Sequence, residues 1–225
     1  MELYRSPLTR IDHQEIRRYA GDKGHQELPA QLIAQAELDA LCQAQPQGVW
    51  CTYPYCAGQG LIQANHFTTV SGTSIRCHLS PAHCVSVLTV TIGETVETTI
   101  HTLFQQGEYT AAILLDAAAT AATEQVADSI TRLIRQQANR QGCSITSRFS
   151  PGYGNWGLEI QPAMLQLSGA HKIGVRATES YMLIPRKSVT AVIGWTSQTP
   201  PPQTTQSPCA QCTQKNCIAR KEQLK

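Results

Sequence analysis

From Tyr109 to Asn139 the chain is rich in alanine, and apolar residues recur at helical intervals: Ile113, Leu114, Ala117, Ala121, Val126, Ile130, Leu133 and Ile134. The segment reads as one long helix ended by Gly142, or as two helices broken near Ala119–Thr120. Just upstream the pattern differs. His83–Gly93 (HCVSVLTVTIG) is a β-branched apolar run and reads as a buried strand. Glu94–Phe104 has helical periodicity and closes at Gly107.

The remaining segments mix both periods. Residues 11–24 read as a helix, with Asp12 as N-cap, Glu15 at the capping-box position and Gly21 as the stop. Leu28–Cys42 reads as a second helix with Pro29 in its first turn. Val49–Tyr55 is β-prone. Phe67–Val70 and Ile75–Leu79 read as a strand pair joined by a tight turn at Ser71-Gly72-Thr73. Cys143–Phe149 reads as a strand and Leu158–Ser168 as a short helix containing Pro162. Ile173–Val175 and Met182–Pro185 read as short strands, and Ser188–Trp195 as a strand by its β-branched content. Helices and strands follow one another without steady βαβ alternation, so the expected class is α+β.

The chain is 225 residues long, enough to bury a core. Charged residues are 15% and the net charge is +2, so no broad basic face for nucleic acid is implied. No apolar run reaches membrane-spanning length and the N-terminus lacks a secretory core, so a cytosolic, soluble protein is expected. In that setting nine cysteines read as thiols or ligands rather than disulfides.

The densest chemistry lies in Arg148–Gly157 (RFSPGYGNWG). Arginine presents a planar fork for a carboxylate or phosphate. Glycines beside it let a ligand approach the backbone, and Tyr153 adds a phenol that can stack or donate. The ligand implied is small, anionic at one end and ring-bearing at the other. An ordinary surface turn with a stray arginine is the alternative. Cys77-His78…His83-Cys84 has the residue types of a zinc site. Strand alternation, however, would send neighbouring Cys and His to opposite faces, so packing is expected there, as for Cys51 and Cys56.

RFSPGY resembles the Arg-x-x-x-Gly-Tyr motif of the activation domain of cobalamin-dependent methionine synthase. Thr178–Val189 (TESYMLIPRKSV) is similar to that domain's Thr-Glu-Ser…Pro…Ser-Val segment, in the same order and at a similar separation. The likeness extends over most of residues 8–220 and is to stand-alone members of the family. It implies a helical N-terminal part over about residues 8–45 and a mainly antiparallel, twisted sheet with long helices, together spanning 1–195. It also implies S-adenosylmethionine as ligand: Arg148 on its carboxylate, the Phe149 backbone against the adenosine, Gly152 in the turn that binds it, and Asp128, or Glu124 one turn earlier, near its cationic end. Glu179 falls in the second motif. Tyr153 would lie where donor and corrinoid meet. The implied role is reactivation of a partner methyltransferase's cob(II)alamin by reductive methylation. The chain has no cobalamin-binding module, so the corrinoid would arrive on another protein.

Residues 196–208 read as a Pro/Thr/Gln-rich linker and 209–225 as a cysteine-rich tail. Cys209, Cys212 and Cys217 offer three thiolates at a spacing suited to zinc or an iron–sulfur cluster. A fourth ligand would come from Cys143, Cys51, Cys56 or a histidine; free or regulatory thiols are the alternative. Two other readings of the whole chain stay open, a redox partner carrying the tail cluster and a scaffold that grips a corrinoid protein without a ligand.

Overall fold

The computed structural model describes residues 1–5, 7–22 and 28–197. The β-branched run forms the strand β5 (Ala82–Thr91), flanked by β2 (Gln47–Cys56) and β9 (Ser188–Thr196), numbered in chain order. Both pairings are long and antiparallel, from Gln47↔Thr91 to Pro54↔Cys84 and from Ala82↔Thr196 to Thr91↔Ser188. The outer edge of β2 takes β1 (Glu2–Arg5) and β3 (Leu61–Gln63), and β3 takes β4 (Phe67–Thr69). The outer edge of β9 takes β6 (Ser144–Ile145). A separate hairpin joins β7 (Arg176–Ala177) to β8 (Leu183–Ile184). The fold is thus α+β, as the order of elements implied, with an antiparallel sheet, as the resemblance implied.

Period-two alternation divides β5 between two cores. Leu88, Val90 and Ile92 face one side with Ala191, Ile193 and Trp195 of β9. There they meet α1 (His13–Tyr19), α2 (Ala30–Gln43), α4 (Thr95–Gln105) and above all α5 (Tyr109–Arg140). Val85, Val87 and Val192 face the other side, against α3 (Thr73–His78), α6 (Gln161–Ser168) and the buried Trp156. Hydroxyls join this second interface: Thr89 Oγ1 lies 2.6 Å from Ser168 Oγ, and Thr190 Oγ1 donates to Gln161 Oε1 at 2.6 Å.

The alanine-rich segment is one unbroken helix of 32 residues. Its alanines allow close approach to the sheet, and one such approach is at Gly48 of β2. A Cβ there would overlap the Cδ1 of Ile130, which is fully buried.

Three local readings are corrected. Ile75–Leu79 is not a strand: Thr73–His78 is α3, because Ile75 and Leu79, four residues apart, bury one helical face. Ile173–Val175 is not a strand: Ile173 ends a 3-10 turn over Ala170–Ile173, Gly174 after it is left-handed, and β7 begins only at Arg176. The expected long strand at 143–149 is shorter, only β6 plus a bridge between Phe149 and Val192. Asp12 caps α1 as expected, accepting from the Gln14 N–H at 2.8 Å, while Glu15 turns to Arg18.

Two stability measurements test this account. Gly48→Ala should cost about 1–3 kcal/mol by overpacking. Ile130→Val removes the obstructing methyl, so the double variant should be more stable than the two single losses add up to; strict additivity in urea unfolding would show that the contact is not limiting. His78, on α3, donates from Nε2 to the Ser147 carbonyl at 2.9 Å. Burial pushes its pKa below the ordinary value, partly offset by that bond. The folded chain therefore binds fewer protons than the unfolded one as pH falls below about 6.5, and stability should decline there. His78→Gln, which keeps a donor, should flatten that decline.

Candidate functional site

Residues 146–149 run along the outer edge of β9. The Thr146 N–H donates to the Gly194 carbonyl at 2.9 Å, and Phe149 and Val192 exchange two bonds at 3.0 and 2.9 Å. Alternation then sends Arg148 and Phe149 to opposite sides. Phe149 enters the core beside α3, with its ring 5.1 Å from His78 and 6.0 Å from Trp156. Arg148 points to α5. Its Nη2 donates to Glu124 Oε2 at 2.9 Å and to Asp128 Oδ1 at 2.7 Å.

The structure therefore brings together Arg148, Glu124 and Asp128. Glu124 also faces Tyr19 at the end of α1; burial first, and then the Glu124 charge, push that phenol up to about 12. Asp128 is the exposed member, with 54% of its side chain accessible. An ion pair with a partner this open contributes about 0.2–1 kcal/mol; the Arg148–Glu124 pair is more enclosed. Beside it a cleft of about 650 Å³ opens, lined in part by Leu8, Arg10, Gln125, Asp128, Arg132 and Arg135. Gln125 Oε1 is buried in its wall with no partner among the described residues.

The glycines after Arg148 have a structural cause in part. A Cβ at Gly154 would lie 2.5 Å from Ser74 Oγ, because this turn is seated on the start of α3. Asn155 fixes it there, accepting from the Ser74 N–H at 2.9 Å and donating to Thr73 Oγ1 at 2.7 Å. Gly152 is left-handed at φ +90°, with only Leu158 near its missing side chain. Tyr153 projects from this turn, 45% exposed, with its ring edge-on to Phe149 at 5.8 Å.

Glu179 lies in the exposed turn between β7 and β8. Thr178 closes that turn, its N–H donating to the Met182 carbonyl at 2.8 Å and its Oγ1 accepting from the Met182 N–H at 3.0 Å. Among the described residues, no hydrogen bond or ion pair joins Glu179 to Arg148. Lys187, at the end of the same motif, was assigned no part by the sequence. Its Nζ lies 2.9 Å from Asp116 Oδ1 and donates to Thr120 Oγ1 at 2.8 Å, with the lysine side chain largely buried. Asp116, Thr120, Glu124 and Asp128 are spaced by four on α5, a polar ridge that was readable in the sequence.

Among the described residues, no group of three or more His, Cys, Asp and Glu is placed to hold a metal ion. Cys209, Cys212 and Cys217 lie outside the described residues. Cys51 takes a packing position, its Sγ 3.8 Å from the Ser168 carbonyl. Among the described residues, no helix is long and apolar enough to cross a membrane.

No protein-family model matches the chain, and no curated protein does. Solved structures do. One, described as the MetH reactivation domain bound to AdoHcy, superposes with a TM-score of 0.61 at 14% identity, covering 88% of this chain and 80% of that one. The architecture built on β2, β5 and β9 is therefore the fold of that reactivation domain.

Proposed function

We propose that this chain binds S-adenosylmethionine beside Arg148 and presents its methyl group to a corrinoid held by a partner methyltransferase. The observation that carries the reading is the Arg148–Glu124–Asp128 group, within a fold shared with a domain whose structure holds S-adenosylhomocysteine. A guanidinium has five N–H donors. Arg148 uses Nη2 for both carboxylates, which leaves N–H groups on Nε and Nη1 to donate to a ligand carboxylate. Asp128 offers negative charge to an ammonium or sulfonium. A zwitterion with an added positive centre meets both signs within one residue's reach.

The adenosine part has fewer polar partners. The Phe149 N–H is engaged with Val192, so contact there falls to the carbonyl's second lone pair and to the open space above Gly152. Tyr153, half-exposed on the same turn, would form the rim where the partner docks. The chain's own contribution is orientation and exclusion of water. The partner's corrinoid, reduced by an outside electron donor, would take the methyl group and release S-adenosylhomocysteine. In this reading Glu179 lines the outer part of the site. The tail thiolates of Cys209, Cys212 and Cys217 bind zinc or an iron–sulfur cluster.

Calorimetric titration of S-adenosylmethionine tests the assignment. Arg148→Ala should weaken binding by about 1.5–3 kcal/mol, as for a charged hydrogen bond. The absence of saturable binding to the wild type would overturn it. Tyr153→Ala should leave donor affinity within about twofold while slowing methyl transfer to a partner's reduced corrinoid. An unchanged transfer rate would remove Tyr153 from the docking rim.

A further inference from the structure

The cleft that Asp128 shares with the Arg148 group is not lined by Arg148 itself, and the proposed function does not use it. It lies between α5 and the segment at residues 7–10 that links β1 to α1. Its charge is one-sided. Arg10, Arg132 and Arg135 bring three guanidiniums to the lining against one carboxylate, Asp128, an excess of two positive charges. Asp128 is in turn engaged by Arg148. Among the described residues, none of the three arginines is within ion-pair distance of an acid.

The fold fixes where these cations start from. Asp128, Arg132 and Arg135 follow one another at intervals of four and three, so they form one stripe along α5. Arg132 Nη2 donates to Ser129 Oγ at 2.8 Å, which steadies that guanidinium over its own helix. Arg10 comes from the opposite wall, on a backbone clamped at two points. Gln125 Nε2 donates to the Arg10 carbonyl at 3.2 Å, and the next N–H, that of the fully buried Ile11, donates to Glu37 Oε1 at 2.8 Å. All three arginines are exposed, so they are not committed to the core and can close on a ligand. Like charges gathered round one hollow repel each other, and an anion between them removes that cost.

The lining also narrows the ligand's chemistry. A volume of about 650 Å³ suits a small molecule rather than a bare ion. Guanidinium forks pair bidentately with phosphate oxygens. A phosphate monoester carries a charge of about −1.5 to −2 at neutral pH, which matches the excess in the lining. A single carboxylate would leave one cation unneutralised. Pro7 and Leu8 offer an apolar wall for a carbon body. Gln125 Oε1, in the opposite wall, has no partner among the described residues. A buried acceptor of this kind calls for a donor, and a ligand hydroxyl supplies one directly or through a bridging water. S-adenosylmethionine does not fit these terms. Its ammonium and sulfonium outweigh its carboxylate, so a cleft with excess positive charge repels it.

We infer that this cleft is a second binding site, for a phosphate monoester on a small hydroxylated carbon body. Arg10, Arg132 and Arg135 hold the phosphate, and Gln125 serves the hydroxyl. The inference goes beyond the reading of Arg148 as a methyl-donor site and does not depend on it, since the two sites select ligands of opposite net charge.

The test is calorimetric titration of the full chain with glycerol phosphate and adenosine monophosphate, beside glycerol, adenosine and sulfate. At least one ester should bind saturably at a single site, the parent alcohols should not bind, and sulfate should bind more weakly. Arg10→Gln, Arg132→Gln and Arg135→Gln should each weaken ester binding by about tenfold or more, as for a charged hydrogen bond. Arg140→Gln, at the end of the same helix but outside the lining, should change nothing. Gln125→Met should narrow the preference for glycerol phosphate over methyl phosphate; an unchanged preference would strike the hydroxyl from the ligand class. Circular dichroism of each variant separates ligand loss from misfolding. The arginine variants should not weaken S-adenosylmethionine binding. If they do, and the esters do not bind, the cleft belongs to the donor site and this inference fails. It fails also if neither ester binds at millimolar concentration, or if sulfate binds as tightly as the esters, which would mark simple ion attraction. If the esters bind while S-adenosylmethionine does not, the Arg148 reading falls alone and this site stands.

Discussion

The contact between Gly48 of β2 and Ile130 of α5 sets the distance between the long helix and the sheet. With no side chain at Gly48, the helix settles onto strands that also carry Trp50, Leu88 and Ile193. Everything polar on α5 is placed by that seating. The ridge of Asp116, Thr120, Glu124 and Asp128 rises beside the edge of β9, where Arg148 and Lys187 arrive from two separate loops. Neither cation would find its carboxylates if the helix stood further off.

This explains a division of labour between the two faces of one short segment. Phe149 and Trp156 hold the loop by burying rings against α3 and α6, and that burial is what stabilises it. Arg148, one residue away, is released to the opposite face with little contribution to stability. An arginine held by partly exposed acids can exchange one partner for a ligand at modest cost. A fully buried one could not, because the vacated carboxylate would be left without solvent or partner.

Much of this was legible in the sequence. The central strand, the long helix, the cap at Asp12 and the final strand all follow from period and composition. What failed did so for identifiable reasons. Ile75–Leu79 carries β-prone residues, but burial four residues apart outweighed propensity and made it α3. The glycines of RFSPGYGNWG point to a close neighbour, and one such neighbour is Ser74 of the same chain rather than a ligand. The tertiary partner of Lys187 lies 71 residues away, so no local pattern could name it, although the four-residue spacing of the acids on α5 hinted at a receiving ridge.

At the start of β5 Ala82 pairs with Thr196 and Cys84 with Trp195, so His83 forms a β-bulge, and this bears on insertions and deletions. Removing one residue from the middle of β5 would turn every side chain beyond it to the wrong face, since the strand repeats every two residues. Removing His83 itself would leave Ala82 and Cys84 on their present sides and simply restore the regular ladder. The strand thus has one position where its length can change by a single residue without exchanging its two cores. A lineage could gain or lose the imidazole there while the rest of the sheet stays in register.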